Sequence, residues 1–209
     1  MLYTEMTTKR TYVLRHRAER QADTRRRITE AAVALHLEVG PAATQVSEVA
    51  RRAGVQRVTV YNHFPDDASL LAACSAHWRA QHPAPDPARW LAIGDAGGRV
   101  RAALRDLYAW YRETAPMTGN VLRDAHTDPA LHRVIEGGLL RYLDRIPRIV
   151  SEPFRGRGSR KERIVLAARA AVDFHFWHAL ESLGDEGAAE LGAGLVELAA
   201  RSISDTRMH

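Results

Sequence analysis

The sequence has a single cysteine, Cys74, among 209 residues. One thiol excludes an internal disulfide framework and any C-x-x-C redox or metal motif. Long apolar runs are missing as well. No stretch approaches the roughly 18 residues that a membrane-spanning helix needs, and MLYTEMTTKRTYVLRHR at the start has no apolar core of signal-peptide length. These absences lead to the expectation of a cytoplasmic protein with no membrane partner. Lysine is nearly absent, with Lys9 and Lys161 beside 28 arginines. Catalytic signatures are missing too. There is no G-x-S-x-G and no H-E-x-x-H, and Gly94-x-x-Gly97-Gly98 lacks the Lys-Ser/Thr of a phosphate loop. His175 and His178 share a helical face, and His126 and His132 could approach, but no acidic partner joins them, so core-packing or ligand-facing roles are favoured over metal. The expectation is no enzyme, no metal and no cofactor.

What is present is ordinary for a globular chain: 45% apolar and 26% charged residues. The length suffices to bury a core without staples. Charge is unevenly spread. Residues 1–64 hold 11 Lys/Arg against 6 Asp/Glu, whereas residues 65–209 hold 19 of each. The whole net charge of +5 therefore sits in the first third. Such asymmetry fits a polyanion partner, nucleic acid or an anionic membrane surface, and equally a basic tail with no partner.

The periodicity is helical almost throughout, which predicts an all-α fold. Residues 1–22 read as a mobile basic arm. A stripe of Ile28, Ala31, Ala32, Leu35 and Val39 predicts a helix capped at Asp23 or Thr24 and stopped by Gly40-Pro41. Thr44 is placed to cap a short helix carrying Val46, Val49 and Ala50, ended by Gly54. Val58-Thr59-Val60-Tyr61 is a β-branched run that propensity alone assigns to a strand. Helix four follows from Asp66 to His82, and Pro83-Ala-Pro-Asp-Pro87 is the linker. Beyond it, helices are expected over 99–115, 117–127 and 129–152, the last kinked at Pro147. Ser159-Arg-Lys-Glu162 has the capping-box pattern for a helix running to Leu183. Gly184-Asp185 then separates a last helix bearing Leu191, Leu195, Leu198 and Ile203. The two final helices carry more apolar surface than one core needs, which suggests a subunit interface.

Two short helices joined through Ala53-Gly54-Val55 have helix-turn-helix spacing, with Ala50 and Ala53 small enough for close crossing. A generic helical hairpin fits the same features. Residues 28–64 go further and resemble the TetR family of bacterial transcriptional regulators without a gap. The residues that carry the resemblance are Ile28, Ala31-Ala32, Leu35, Gly40, Thr44, Val49-Ala50, Ala53-Gly54-Val55 and Thr59-Val60-Tyr61-Asn62-His63-Phe64, continued by Pro65 and Leu70-Leu71. The resemblance implies that Gln56–His63 is a recognition helix rather than a strand. It places Arg57, Val58 and Asn62 at bases, and Thr44, Thr59, Tyr61 and His63 at phosphates, with Gln56 where a Ser cap is usual. The chemistry agrees: Arg pairs with guanine, Asn with adenine, and a Val methyl packs on thymine. Phe64 is expected in the core. Three further departures stand out. His36 replaces an apolar aromatic, Val58 replaces a frequent Gly, and Asp67 replaces a Lys that binds phosphate. The arm residues Lys9, Arg10, Arg15, Arg17, Arg20 and Arg25–Arg27 are candidates to compensate.

The resemblance also implies an effector lodged among the middle helices. The aromatic-rich second half offers Tyr108, Tyr111, Met117, Phe174, Trp177 and His178, with Arg123 or Asp173 as polar anchors. The expected organisation is a basic arm (1–22), a three-helix DNA-binding domain with its connecting fourth helix (23–82), and a helical effector-binding and dimerisation domain (83–209). The expected function is a homodimeric repressor released from a palindromic DNA operator by a small apolar or aromatic effector. The alternative is a helical small-molecule-binding protein or enzyme with a vestigial DNA-binding domain.

Overall fold

A computed structural model of the chain describes residues 2–201, with side chains from Leu14 onward. Ile203 and the side chains of Lys9 and Arg10 lie outside the described residues. Among the described residues every regular element is helical, so the all-α expectation holds. None of these helices is long and apolar enough to cross a membrane. The chain divides into two compact units that are not contiguous in sequence. The first runs to Gln81 and adds Gly119–Val134; the second comprises His82–Thr118 and the residues from Ile135 onward.

The first unit is built on α1 (Leu2–Val39), α2 (Val46–Ala53), α3 (Arg57–His63) and α4 (Asp67–Gln81). Here α1 starts at Leu2, not at Asp23 or Thr24. The Asp23 carboxylate is engaged by Arg26 at 2.5 Å and caps nothing. The core consists of Ile28, Ala32 and Leu35 from α1, Val49 and Ala50 from α2, Val60 from α3, Phe64, and Leu70, Leu71 and Cys74 from α4. Gly40 ends α1 at a φ of 88°. Gly54 ends α2 at a φ of 65°, with its N–H on the Arg51 carbonyl and that of Val55 on Ala50. Only a residue without Cβ enters this left-handed conformation freely. Thr44 does not cap α2: its hydroxyl donates to the Gly40 carbonyl at 2.8 Å, and Gln45 stands at the cap without a side-chain bond.

His36 is buried where an aromatic was expected. Burial pushes its pKa down to about 4, against a smaller opposing pull from Asp124, so at neutral pH it packs as an uncharged ring. The end of α1 is tied down by residues distant in sequence. Asn120 Nδ2 donates to the carbonyls of His36 (2.9 Å) and Leu37 (3.1 Å), and the Asp124 carboxylate accepts from the Ala42 N–H (2.9 Å). The bond to Leu37 satisfies a carbonyl that the helix end leaves without an intrahelical partner, whereas the His36 carbonyl also accepts from the Gly40 N–H at 3.1 Å.

The second unit contains α5 (Ala88–Leu91), residues 96–118 of α6 (Ala96–Asp124), α8 (Arg141–Ser151), α9 (Gly158–Val172), α10 (Phe174–Ala179) and α11 (Gly184–Ala200); α7 (Pro129–Ile135) belongs almost wholly to the first unit. Four expected boundaries move. Pro116 lies inside α6 instead of dividing it. Residues 129–152 are interrupted at Glu136–Leu140, a π-helical turn containing Gly137-Gly138, while α8 continues through Pro147. No capping box forms at Ser159, because α9 already begins at Gly158 with Arg157 at its cap. The helix expected to reach Leu183 stops at Val172. Asp173 is extended, and its carboxylate accepts the amides of His175 (2.8 Å) and Phe176 (3.1 Å) to start α10.

The core of this unit lies among α6, α8, α9 and α11. Val100, Leu104, Leu107, Ile146, Ile164, Ala168 and Val196 are almost wholly buried there. At Gly192 on α11 a Cβ would lie 2.9 Å from Leu104 Cδ1 and 3.0 Å from the Tyr108 hydroxyl, so glycine permits the close approach of α11 to α6.

Candidate nucleic-acid interface

α3 has seven residues, too few to hold itself together in water. Its fixity comes from one buried face and one clamp. Val60 is 1% exposed and Phe64, just after the helix, 2%. Arg25 on α1 donates to the His63 carbonyl at 2.5 Å, and its guanidinium carbon lies 4.0 Å from the centre of the Phe64 ring. A cation thereby satisfies a free carbonyl at the negative end of the helix. Arg25 was grouped with the basic arm on sequence grounds. Its clamping role is carried by no local pattern.

With Val60 and Phe64 inward, Arg57, Val58, Tyr61 and Asn62 are left exposed, and Thr59 and His63 are half-buried. Val58 is 58% exposed, an apolar side chain on a surface face. Arg57 and Tyr61 are paired: Nη2 and Nε donate to the tyrosine oxygen at 2.9 and 3.3 Å, and the guanidinium stands 5.5 Å from the ring centre. Gln56 is exposed at the start of α3, where its carbonyl accepts from Thr59 but its side chain makes no cap. Thr44 is half-buried at the approach to α2. Thr59, Asn62 and His63 line an open groove of about 490 Å³ together with Gln21, Ala22 and Arg25. No carboxylate belongs to that lining.

Much of the nearby positive charge is internally compensated. Arg26 is held between Asp23 and Glu30, and Arg51 and Arg52 share Glu48, whose pKa their hydrogen bonds hold down to about 2. Arg52 also pairs with Glu38 at 2.5 Å. Asp67 is exposed in the first turn of α4, beside Asp66, whose carboxylate accepts the Ser69 amide at 2.7 Å.

Residues 28–74 match the family described as bacterial regulatory proteins, tetR family. The chain carries the TetR-family helix-turn-helix domain. An HTH-type transcriptional regulator of Mycobacterium tuberculosis, itself named as uncharacterized, is 43% identical over 53 residues, which is 25% of this chain and 28% of that protein. The chain thus aligns with little more than a quarter of the curated relatives it matches. Likeness to solved structures extends further and concerns the fold. The TetR-family regulator PfmR from Thermus thermophilus superposes with a TM-score of 0.54 at 20% identity, covering 84% of this chain and 98% of that one. FadR from Bacillus subtilis, solved in complex with stearoyl-CoA, gives 0.55 at 18% identity, covering 85% and 98%.

In the second unit, most of the candidate effector residues are neighbours. Tyr111 lies 5.3 Å from Phe174 and 5.6 Å from Trp177 between ring centres, and Phe174 and Trp177 are 5.5 Å apart. Tyr108 is 6.4 Å from Tyr111, and His178 stacks on Phe174 at 6.0 Å. The break at Asp173 leaves carbonyls at the end of α9 without helical partners. Tyr108 and Tyr111 donate their hydroxyls to two of them, Ala171 (2.6 Å) and Val172 (2.7 Å). Burial, with the Asp173 charge adding to it, pushes both phenols well above their ordinary range. Met117 is buried on α6. Arg123 belongs to the first unit, where it bonds Asp124 (2.8 Å) and Asn120 (2.9 Å). Asp173 is occupied as the α10 cap. No group of three His, Cys, Asp or Glu side chains that could hold a metal occurs among the described residues.

Proposed function

We propose that this protein is a DNA-binding transcriptional regulator of the TetR type, acting in the cytoplasm as a homodimer on a palindromic operator. The observation that carries the reading is the exposed face of α3. Arg57, Val58, Tyr61 and Asn62 project from a short helix fixed by Val60, Phe64 and Arg25. In a major groove, Arg57 would exchange its tyrosine partner for guanine O6 and N7, Asn62 would pair with adenine, and Val58 would meet a thymine methyl. Thr44, Thr59, Tyr61 and His63 would bond phosphates, with Gln56 at the helix entrance. DNA reading is assigned to residues 23–82 and effector binding and dimerisation to residues 83–209.

Dimerisation is supported by a stripe on α11. Leu191, Leu195 and Leu198 follow helical spacing and are 36–63% exposed, and Leu166 on α9 is 55% exposed. A second copy covering these faces would relate two α3 helices by a two-fold axis, the arrangement that reads a palindrome. A small apolar or aromatic effector in the ring cluster would release the operator, making the protein a repressor. By linkage the operator must weaken effector binding by the same factor. That a fold neighbour was solved with an acyl-CoA supports the assignment of an effector to this kind of fold.

Asp67 favours a second reading, a helical small-molecule-binding protein or enzyme whose DNA-binding head no longer works. Selection from random DNA decides between them. One enriched palindrome, with sedimentation at about twice 23.3 kDa, is the expected result. Failure to bind any DNA would overturn the regulator reading.

A further inference from the structure

Trp177 on α10 is 2% exposed, and its indole N–H has no hydrogen-bond acceptor among the described residues. It is the one buried side-chain nitrogen or oxygen among them left in that condition. Two other indoles are provided for: Trp90 donates to Asp106 at 2.9 Å, and Trp110 to the His82 carbonyl at 3.2 Å. Buried donors are nearly always paired, because an unpaired one forfeits its hydration for nothing.

The groups around Trp177 show what could pair it. Tyr111 and Phe174 stand edge to face, at 88°, with the indole 5.6 and 5.5 Å from them. The tyrosine hydroxyl protons are already donated to α9 carbonyls, and the Asp173 carboxylate accepts backbone amides. The buried part of the cluster therefore offers ring faces and edges and the unpaired Trp177 N–H, with the exposed imidazoles of His175 and His178 against Phe174. The cluster reaches the surface at His178, whose ring lies parallel to Phe174 and whose side chain is 58% exposed and paired with Glu181 at 3.0 Å.

We propose that Trp177 Nε1 donates to an oxygen acceptor on a small planar aromatic ligand seated against Tyr111 and Phe174. This rests on the effector reading above and deepens it. The ligand is aromatic because edge-to-face contact suits these rings. It carries an oxygen because an N–H dipole repels a cation and gains nothing from a hydrocarbon.

The test is NMR of full-length protein labelled with 15N at its indoles, with the Trp177 signal assigned by its loss in Trp177→Phe. Phenol, benzoate, toluene and tetramethylammonium serve as probes. The Trp177 proton is expected to move downfield with phenol or benzoate and not with toluene. Trp177→Phe keeps an aromatic ring there and removes the donor, so phenol or benzoate binding should weaken about tenfold, the scale of one buried hydrogen bond, while toluene binding is unchanged. Equal responses to toluene and phenol, a response to tetramethylammonium alone, or a Trp177 signal that no probe moves would overturn the proposal. Should that variant fail to fold, Trp78→Phe, Trp90→Phe and Trp110→Phe assign the other three indoles, and the remaining wild-type signal decides. DNA binding is measured separately without probe, so failure of the regulator reading and failure of this one are told apart.

Discussion

The hydroxyl of Tyr111 on α6 donates to the carbonyl of Val172 at 2.7 Å, across 61 residues of sequence. That carbonyl needs a donor because α9 stops there, and it stops because Asp173 takes the amides of the next helix. Tyr111→Phe removes one hydroxyl and leaves a buried carbonyl unpaired. The expected loss of stability is about 1–3 kcal/mol, read from urea unfolding. A midpoint equal to the wild type would mean that solvent reaches Val172 and the helix break is not supported by α6.

His36 makes a prediction about acid. Its pKa is about 4 in the folded chain and about 6.5 in an unfolded one. Below pH 6.5 the unfolded state takes up the proton first, so the stability is whole above that value and is lost as pH falls toward 4. The difference corresponds to at most about 3 kcal/mol. His36→Phe should flatten the stability profile between pH 6.5 and 4, and an unchanged slope would place the acid sensitivity elsewhere.

What could be read in advance follows from how local each cause is. Gly40 and Gly54 mark helix ends through their own backbone freedom, and the structure has them at positive φ. Val58-Thr59-Val60-Tyr61 favours a strand by propensity. It became legible as a helix only through its resemblance to a family, because the burial of Val60 and Phe64 that decides it is tertiary. Asp173 was hidden by the apolar run on either side of it, although Asp is a good N-cap. The tie from Asn120 and Asp124 to the end of α1 spans more than 80 residues and leaves no periodic trace. The exposed face of α3 was legible; the clamp that holds the helix was not.

Arg57 and Tyr61 are expected to fail differently when changed. Arg57→Ala should cost roughly 1–3 kcal/mol on the preferred site and relax preference at one base pair. Tyr61→Phe keeps the ring and removes a neutral phosphate donor. It should weaken binding evenly across sequences with no change in salt slope, since no cation and hence no released counterion is lost. Binding of randomised sites at several salt concentrations separates the two. A sequence preference unaffected by Arg57→Ala would remove Arg57 from the readers.

Arg25 joins α1 to the end of α3 and also lines the groove beside Thr59, Asn62 and His63. The two roles have different signatures. As a clamp, Arg25→Ala frees the His63 carbonyl and uncovers Phe64, costing about 1 kcal/mol for a bond this exposed. Arg25→Lys should recover little, because an ammonium cannot stack its plane on the ring. As a phosphate contact, Arg25→Ala should lower the magnitude of the salt slope by about 1, and Arg25→Lys, which keeps the charge, should restore it. Thermal unfolding and salt-dependent binding of both variants therefore apportion the residue. A salt slope unmoved by Arg25→Ala leaves it a clamp alone. A slope that falls and returns with lysine, while stability stays low, makes it both the brace of the reading helix and one of its anchors on the DNA backbone.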